Sequence, residues 1–461
     1  MVFSSPTFLF VFLPLSLALY FAVRGMALKN AVLLILSLAF YAWGEPVMIA
    51  VMLASIGFNY TAARWIDGRE GRARAGALGA AVAVNLAVLI VFKYANFLSA
   101  NLALIGIKRT QIALPLGISF FTFHALSYLI DVYRRRFAAN RSLREVALYI
   151  AFFPQLIAGP IVRYKNIALR LHLRRHSWGR ASAGLRMLVI GLAMKVLIAD
   201  PLAPLADAVF DHARAPSLLT AWTGALAYSL QIYFDFAGYS NMAIGLGLAF
   251  GFSLPRNFNL PYRSTSITEF WRRWHRTLSA WFRDYLYIPL GGNRGSALRT
   301  YRNLIVVFVL CGLWHGANWT FLLWGAWHGA FLVAERAGLG KALKTAPRLI
   351  GWVYAFGAVV FGWVLFRSPT LAAAGEIWRG MIGLNGIGGL GLDLGKVAAP
   401  GQAVLAALAL ALALFGLPRL KLPVWPRLIG FADSGAVVVL LLLCLLAVAG
   451  GSYSPFLYYR F

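Results

Sequence analysis

The sequence predicts an all-α, polytopic membrane protein, and three observations carry that prediction. Hydrophobic residues make up 61% of the 461 and charged residues only 13%, where a soluble domain carries roughly a quarter charged residues. Several apolar runs approach the roughly 20 residues that cross a bilayer core as a helix. The formal charge of +28 is concentrated in arginines that fall in short segments between those runs, which is the positive-inside signature. In a soluble chain such a charge would suggest nucleic acid; here it sets topology, and no nucleic-acid partner is expected.

The apolar runs cover residues 8–23, 47–65, 78–97, 217–236, 350–366, 403–417 and 436–449. With the intervening segments they predict about ten to twelve membrane-embedded helices. The first run lacks the basic flank and small-residue cleavage site of a secretory signal, so it reads as a retained helix. Cys311 and Cys444 both lie inside apolar runs, where a thiol packs as a small hydrophobe, and they offer neither a disulfide framework nor a metal site. If the basic segments 24–29, 64–74, 134–144, 163–180, 256–302, 336–348 and 419–427 face the cytoplasm, both termini and segments 96–111, 200–217 and 368–402 lie outside. Segment 200–217 carries Asp200, Asp207 and Asp211 against one Arg214, as an external loop should.

Three stretches break the alternation. Residues 145–162 join two basic segments and contain Pro154 and Pro160, which interrupt any continuous helix and predict a segment that dips in and returns. Residues 303–335 also join two basic segments; Gly312, Gly316, Gly325 and Gly329 allow either a tight hairpin or a broken helix. Residues 254–302 are too polar to span yet hold Trp271, Trp274, Trp281, Phe282, Tyr285 and Tyr287, a mixture suited to interfacial helices or to helices buried in protein at membrane depth. With no internal repeat or linker, one membrane domain over residues 1–461 is the simplest partition.

Ionisable groups at membrane depth are functional candidates by default. His172, His176 and His212 sit in polar segments and read as solvated, and His124 and His328 read as packing residues. An unbroken helix would hold His328 about 20 Å from His315. His315 lies between apolar and aromatic neighbours with no acid nearby in sequence; burial there favours neutral imidazole, the form that takes a proton at physiological pH. A general base is one use of such a group, and a hydrogen-bonded structural imidazole is the other. His275 stands in an aromatic and basic stretch where Arg272, Arg273 and Arg276 could hold donor phosphates or anchor the interface. No phosphate-binding glycine loop, nucleophile elbow or His-Glu-x-x-His metal motif is present.

Two stretches carry a resemblance. Phe270-Trp-Arg-Arg-Trp-His-Arg-Thr-Leu-Ser-Ala-Trp-Phe-Arg-Asp-Tyr-Leu-Tyr-Ile-Pro-Leu-Gly-Gly-Asn-Arg, followed by Gly312-Leu-Trp-His-Gly-Ala-Asn-Trp, closely resembles the membrane-bound O-acyltransferases, in particular the bacterial branch with the membrane subunit of alginate O-acetylation. Val2-Phe-Ser-Ser-Pro-Thr-Phe-Leu-Phe, Leu114-Pro-Leu-Gly-Ile-Ser-Phe-Phe-Thr-Phe, Phe153-Pro-Gln-Leu-Ile-Ala-Gly-Pro-Ile and Tyr233-Phe-Asp-Phe-Ala-Gly-Tyr-Ser-Asn-Met extend it over most of the chain.

The resemblance implies helices around a central tunnel, with a cytoplasmic donor entrance and a funnel on the other face. It aligns His315 with the family's hallmark histidine and His275 with the second polar position. The implied activity is transfer of an acyl group, acetyl above all, from a cytoplasmic thioester such as acetyl-CoA to an extracytoplasmic hydroxyl. Arg272, Arg273, Arg276, Trp274, Trp314 and Asn318 are the substrate-contact candidates, and neither a metal nor a bound cofactor is expected. A periplasmic SGNH-hydrolase-like partner would pass the group to a polysaccharide such as alginate, which places the chain in the cell inner membrane. D-alanyl transfer from a carrier protein to teichoic acid is a sister reading. A transporter or flippase, or a scaffold that docks a glycan enzyme, are readings of other classes.

Overall fold

The structure, a computed structural model, describes residues 2–212, 214–388, 400–416, 426–451 and 456–457. These residues form helices and no strand. Among the described residues, five helices are long and apolar enough to cross a membrane: Met26–Gly44, Gly71–Leu102, Trp178–His212, Ala297–His315 and Arg348–Arg367. Phe8–Ala22, Ile118–Tyr133, Gly401–Phe415 and Ser434–Ala449 are shorter apolar helices, and Leu218–Ala249 is a further continuous helix. The chain is therefore an all-α polytopic membrane protein. Its apolar surface is outward as well as inward: Phe10, Ile35, Trp43 and Leu442 are all more than half exposed, which only a hydrocarbon solvent makes favourable.

The contacts divide the chain into two compact units, Met1–Leu188 with Tyr239–Arg256, and Val189–Gly238 with Asn257–Phe461. In the first, helices Met26–Gly44, Ile49–Asp67 and Ile118–Tyr133 pack against Leu143–Ala151, and Gly71–Leu89 packs against Ile49–Asp67 and Ile118–Tyr133. Its core is aromatic, with Phe3, Phe8, Phe12, Phe40 and Phe153 in mutual ring contact. Asn59 and Asn85 exchange side-chain amide hydrogen bonds of 3.0 and 2.9 Å between neighbouring helices; with no hydrophobic drive between helices in lipid, such pairs help fix the packing. Every residue from Glu145 to Val162 is buried, and the expected interruption falls at Phe152, between helix Leu143–Ala151 and the turn Phe153–Leu156, which has Pro154 at its second position.

In the second unit, residues 303–335 resolve as the tight hairpin. Helix Ala297–His315 ends at Gly316, and helix Trp319–Ala334 returns along it. The glycines set the spacing: a Cβ on Gly312 would lie 2.1 Å from the Phe321 carbonyl oxygen, and one on Gly325 would lie 2.2 Å from that of Phe308. Helix Arg348–Arg367 packs against the returning arm.

The acidic segment 200–217 departs from the loop that its charges suggested. Asp200–Asp207 is helical and continues through Ala208–His212. Its acids meet cations: buried Asp200 lies 2.5 Å from Lys195, and Arg367 is 2.7 Å from both Asp207 and Asp211, which stay partly open to solvent. Lys195 also reaches Asp235 at 2.8 Å, and the second oxygen of Asp235 accepts the Leu457 amide at 2.8 Å.

Candidate active site

The stretch 254–302 contains a succession of short helices, Ile267–Arg273, Arg276–Phe282 and the turn Arg283–Tyr287, whose aromatics face inward. Trp271, Trp274, Trp281, Phe282 and Tyr285 are buried. Ile267–Arg273 starts where Ser266 Oγ accepts the Glu269 amide and where the Glu335 carboxylate accepts the amides of Ile267 and Thr268, so its otherwise orphaned donors are satisfied. The two short helices meet at His275, which takes φ 39° and ψ 53°. A left-handed conformation is costly for a residue with a Cβ and is held only where surrounding bonds over-determine it. Here the Arg276 amide donates to the Asn257 carbonyl at 2.9 Å, and the Asn259 amide to the Arg273 carbonyl at 3.0 Å.

Asn257 also fixes the imidazole. Its Oδ1 accepts from the Thr277 amide at 3.3 Å and from the Thr277 hydroxyl at 3.0 Å, and lies 3.1 Å from His275 Nδ1. The backbone donor identifies that atom as the oxygen, so Nδ1 must carry the ring proton. Nε2 is left with its lone pair, and it meets no hydrogen-bond partner among the described residues. Burial pushes the His275 pKa well below the ordinary histidine value, which keeps the ring neutral.

The second imidazole arrives from the hairpin. His315 is the last residue of its helix and is 4% exposed. The two histidines converge on one indole: Trp314 has its ring centroid 6.2 Å from that of His275 and 4.9 Å from that of His315. Phe236 closes against His275 at 4.7 Å, while Trp324 and Phe366 each lie 5.1 Å from His315. His328 belongs to the same aromatic cluster, 5.0 Å from Trp324 and 5.2 Å from Trp271. The break after His315 means that the straight-helix separation does not apply to these two histidines.

The other residues singled out in the sequence occupy three settings. Trp274 is buried, stacked on Phe270 and packed against Trp363. Asn318 caps the returning helix by accepting the Thr320 amide, and donates to the Pro369 carbonyl at 2.9 Å. Arg273 pairs with Glu269 at 2.8 Å, whereas Arg272 and Arg276 are exposed. Asn257 is the residue that sequence reasoning missed. It stands 18 positions from the ring it orients, so no local periodicity marks it.

The chain belongs to the membrane-bound O-acyltransferase family, whose pattern matches residues 81–371 and so includes both histidines. It is 42% identical over its whole length to the whole of a protein of Azotobacter vinelandii named "Probable alginate O-acetylase AlgI". A peptidoglycan O-acetyltransferase of Helicobacter pylori is 38% identical over 84% of this chain and 81% of its own. A teichoic acid D-alanyltransferase of Bacillus subtilis is 28% identical over 44% of this chain and 53% of its own.

Proposed function

We propose that this membrane-bound O-acyltransferase is an acetyltransferase that moves the acetyl group of a cytoplasmic thioester, acetyl-CoA, to a hydroxyl on the far side of the inner membrane. The observation that carries the reading is the convergence of two buried imidazoles on Trp314. His315 takes the proton of the attacking hydroxyl as its oxygen bonds to the thioester carbonyl carbon. The carbon–sulfur bond then breaks, and the proton passes to the departing thiolate. His275, with its proton held on Nδ1, presents Nε2 as an acceptor. That favours orienting the hydroxyl over polarising the carbonyl, which would require an N–H donor. Trp274, Trp314 and Asn318 shape the passage, and Arg272, Arg273 and Arg276 serve the donor side.

The whole chain acts as one membrane domain in this reading. Its acetyl group goes to a polysaccharide such as alginate through a periplasmic SGNH-hydrolase-like partner. Identity to AlgI over the full length of both chains supports that route over D-alanyl transfer to teichoic acid, for which the likeness covers 44% of the chain. The test is reconstitution of the purified protein in liposomes with labelled acetyl-CoA on one side and the partner, with or without alginate, on the other. Label on the partner or glycan supports the reading. Label carried across as free acetyl-CoA would favour a transporter.

A further inference from the structure

Beside the aromatic cluster lies a half-open cavity of about 770 Å³, into which Arg272, Arg336, Lys341 and Lys344 contribute four positive charges. Two carboxylates also line it, but both are committed elsewhere. Glu335 accepts the amides of Ile267 and Thr268 and the hydroxyl of Tyr354. Glu269 accepts the Thr265 amide and pairs with Arg273, and although its burial favours the neutral acid, those partners hold its pKa below the ordinary carboxylate value. None of the four cations forms an ion pair with a carboxylate among the described residues. The four cations outnumber the two carboxylates, so the concave lining carries a net positive charge, whereas a solvated topology charge needs no cavity.

We infer that this cavity binds a phosphate group, held by Arg272, Arg336, Lys341 and Lys344. Guanidinium forks match phosphate oxygens, and ammonium groups add point charge. Helix Ile267–Arg273 joins the cavity to the histidines. Thr268, Glu269 and Arg272 line the cavity, while Phe270 and Trp271 on the same helix are buried, and the helix runs directly to His275. A phosphate gripped by Arg272 bears on the element that positions that imidazole.

Two sources offer this chemistry: the nucleotide phosphates of a thioester donor, and the headgroup of an anionic phospholipid, for which Leu304, Leu332 and Leu343 provide an apolar flank. The nucleotide arm rests on the acyltransferase reading; the lipid arm does not. The test uses full-length protein in phosphatidylcholine nanodiscs. Adenosine 3′,5′-bisphosphate is titrated calorimetrically, and native mass spectrometry counts phosphatidylglycerol retained from mixed nanodiscs.

The triple variant Arg336→Gln/Lys341→Gln/Lys344→Gln is compared with Arg69→Gln/Arg72→Gln, which removes basic charge from residues that do not line the cavity. The expected result is a loss of about tenfold or more in binding of one probe in the triple variant alone. Nucleotide loss identifies the donor as the source, and lipid loss identifies the headgroup. The charge-preserving Arg336→Lys/Lys341→Arg/Lys344→Arg variant should retain binding, which separates charge loss from misfolding. If neither probe binds the native protein, or if both bind the triple variant and the native protein alike, the proposal is overturned. Binding is read without turnover, so a protein that binds nucleotide yet transfers nothing would count against the acyltransferase reading and not against the phosphate site.

Discussion

Replacing Asn257 by alanine removes the Oδ1 that accepts from His275 Nδ1, the Thr277 amide and the Thr277 hydroxyl. The hydroxyl can rotate and the imidazole can move its proton, but the Thr277 amide cannot turn away in a site where Asn257 is 1% exposed. Orphaning that buried donor and losing its neighbours costs about 2–3 kcal/mol. The catalytic cost comes separately. Once the proton is no longer held on Nδ1 it can reside on Nε2, and the acceptor that orients the hydroxyl is lost. General acid–base contributions run about 10²- to 10⁴-fold, so kcat should fall about 10²-fold while KM for the donor changes little. Asn257→Asp keeps an acceptor beside Nδ1 and should lie between the two. Labelled acetyl transfer measured across donor concentrations gives the split, and thermal unfolding in detergent shows how much protein remains folded. Folded Asn257→Ala protein with native kcat would refute the assignment, as would an Asn257→Asp enzyme slower than Asn257→Ala.

Gly312→Ala places a Cβ 2.1 Å from the Phe321 carbonyl oxygen and should destabilise the hairpin by about 2–3 kcal/mol, read as a lower unfolding midpoint with loss of transfer. Lys195→Met removes the cation that both Asp200 and Asp235 contact. Breaking such a pair costs about 3–5 kcal/mol, whereas Lys195→Met/Asp200→Asn/Asp235→Asn should recover much of it; thermal unfolding of the two variants compares them. His176 Nε2 lies 2.8 Å from Tyr20 Oη, and partial burial together with Lys29 and Arg174 lowers its pKa from 6.5. The unfolded chain therefore binds this proton more readily, so its contribution to stability is complete above about pH 6.5 and declines as the pH falls toward the folded pKa. Unfolding midpoints from pH 8 to 5 should show the decline, and His176→Gln should flatten it.

The membrane class, the apolar helices and the position of His315 were legible because hydropathy and basic loops are local signals. The hairpin was legible only as one of two options, since glycine at 312 and 325 permits both a bend and a close approach, and the choice depends on what Phe321 and Phe308 occupy. The helical form of the acidic segment 200–217 and the pairing of its acids were hidden for a related reason. Asp200 reads as solvated until Lys195 is seen within reach, and Asp207 and Asp211 until Arg367 arrives from about 160 positions away. Lys195 and Asp235 did carry a usable signal, being ionisable groups inside apolar runs. The orientation of His275 carried none, because its tautomer is set by an asparagine that only the fold brings alongside.

The most direct measurement is single-turnover transfer of labelled acetyl from acetyl-CoA to the hydroxyl acceptor by reconstituted His315→Ala protein, beside the native chain and with folding verified for both. The mechanism predicts rapid transfer by the native protein and a fall of about 10²-fold or more in the variant, with binding of the donor retained. Transfer at the native rate by folded His315→Ala protein would contradict the assignment of His315 as the base.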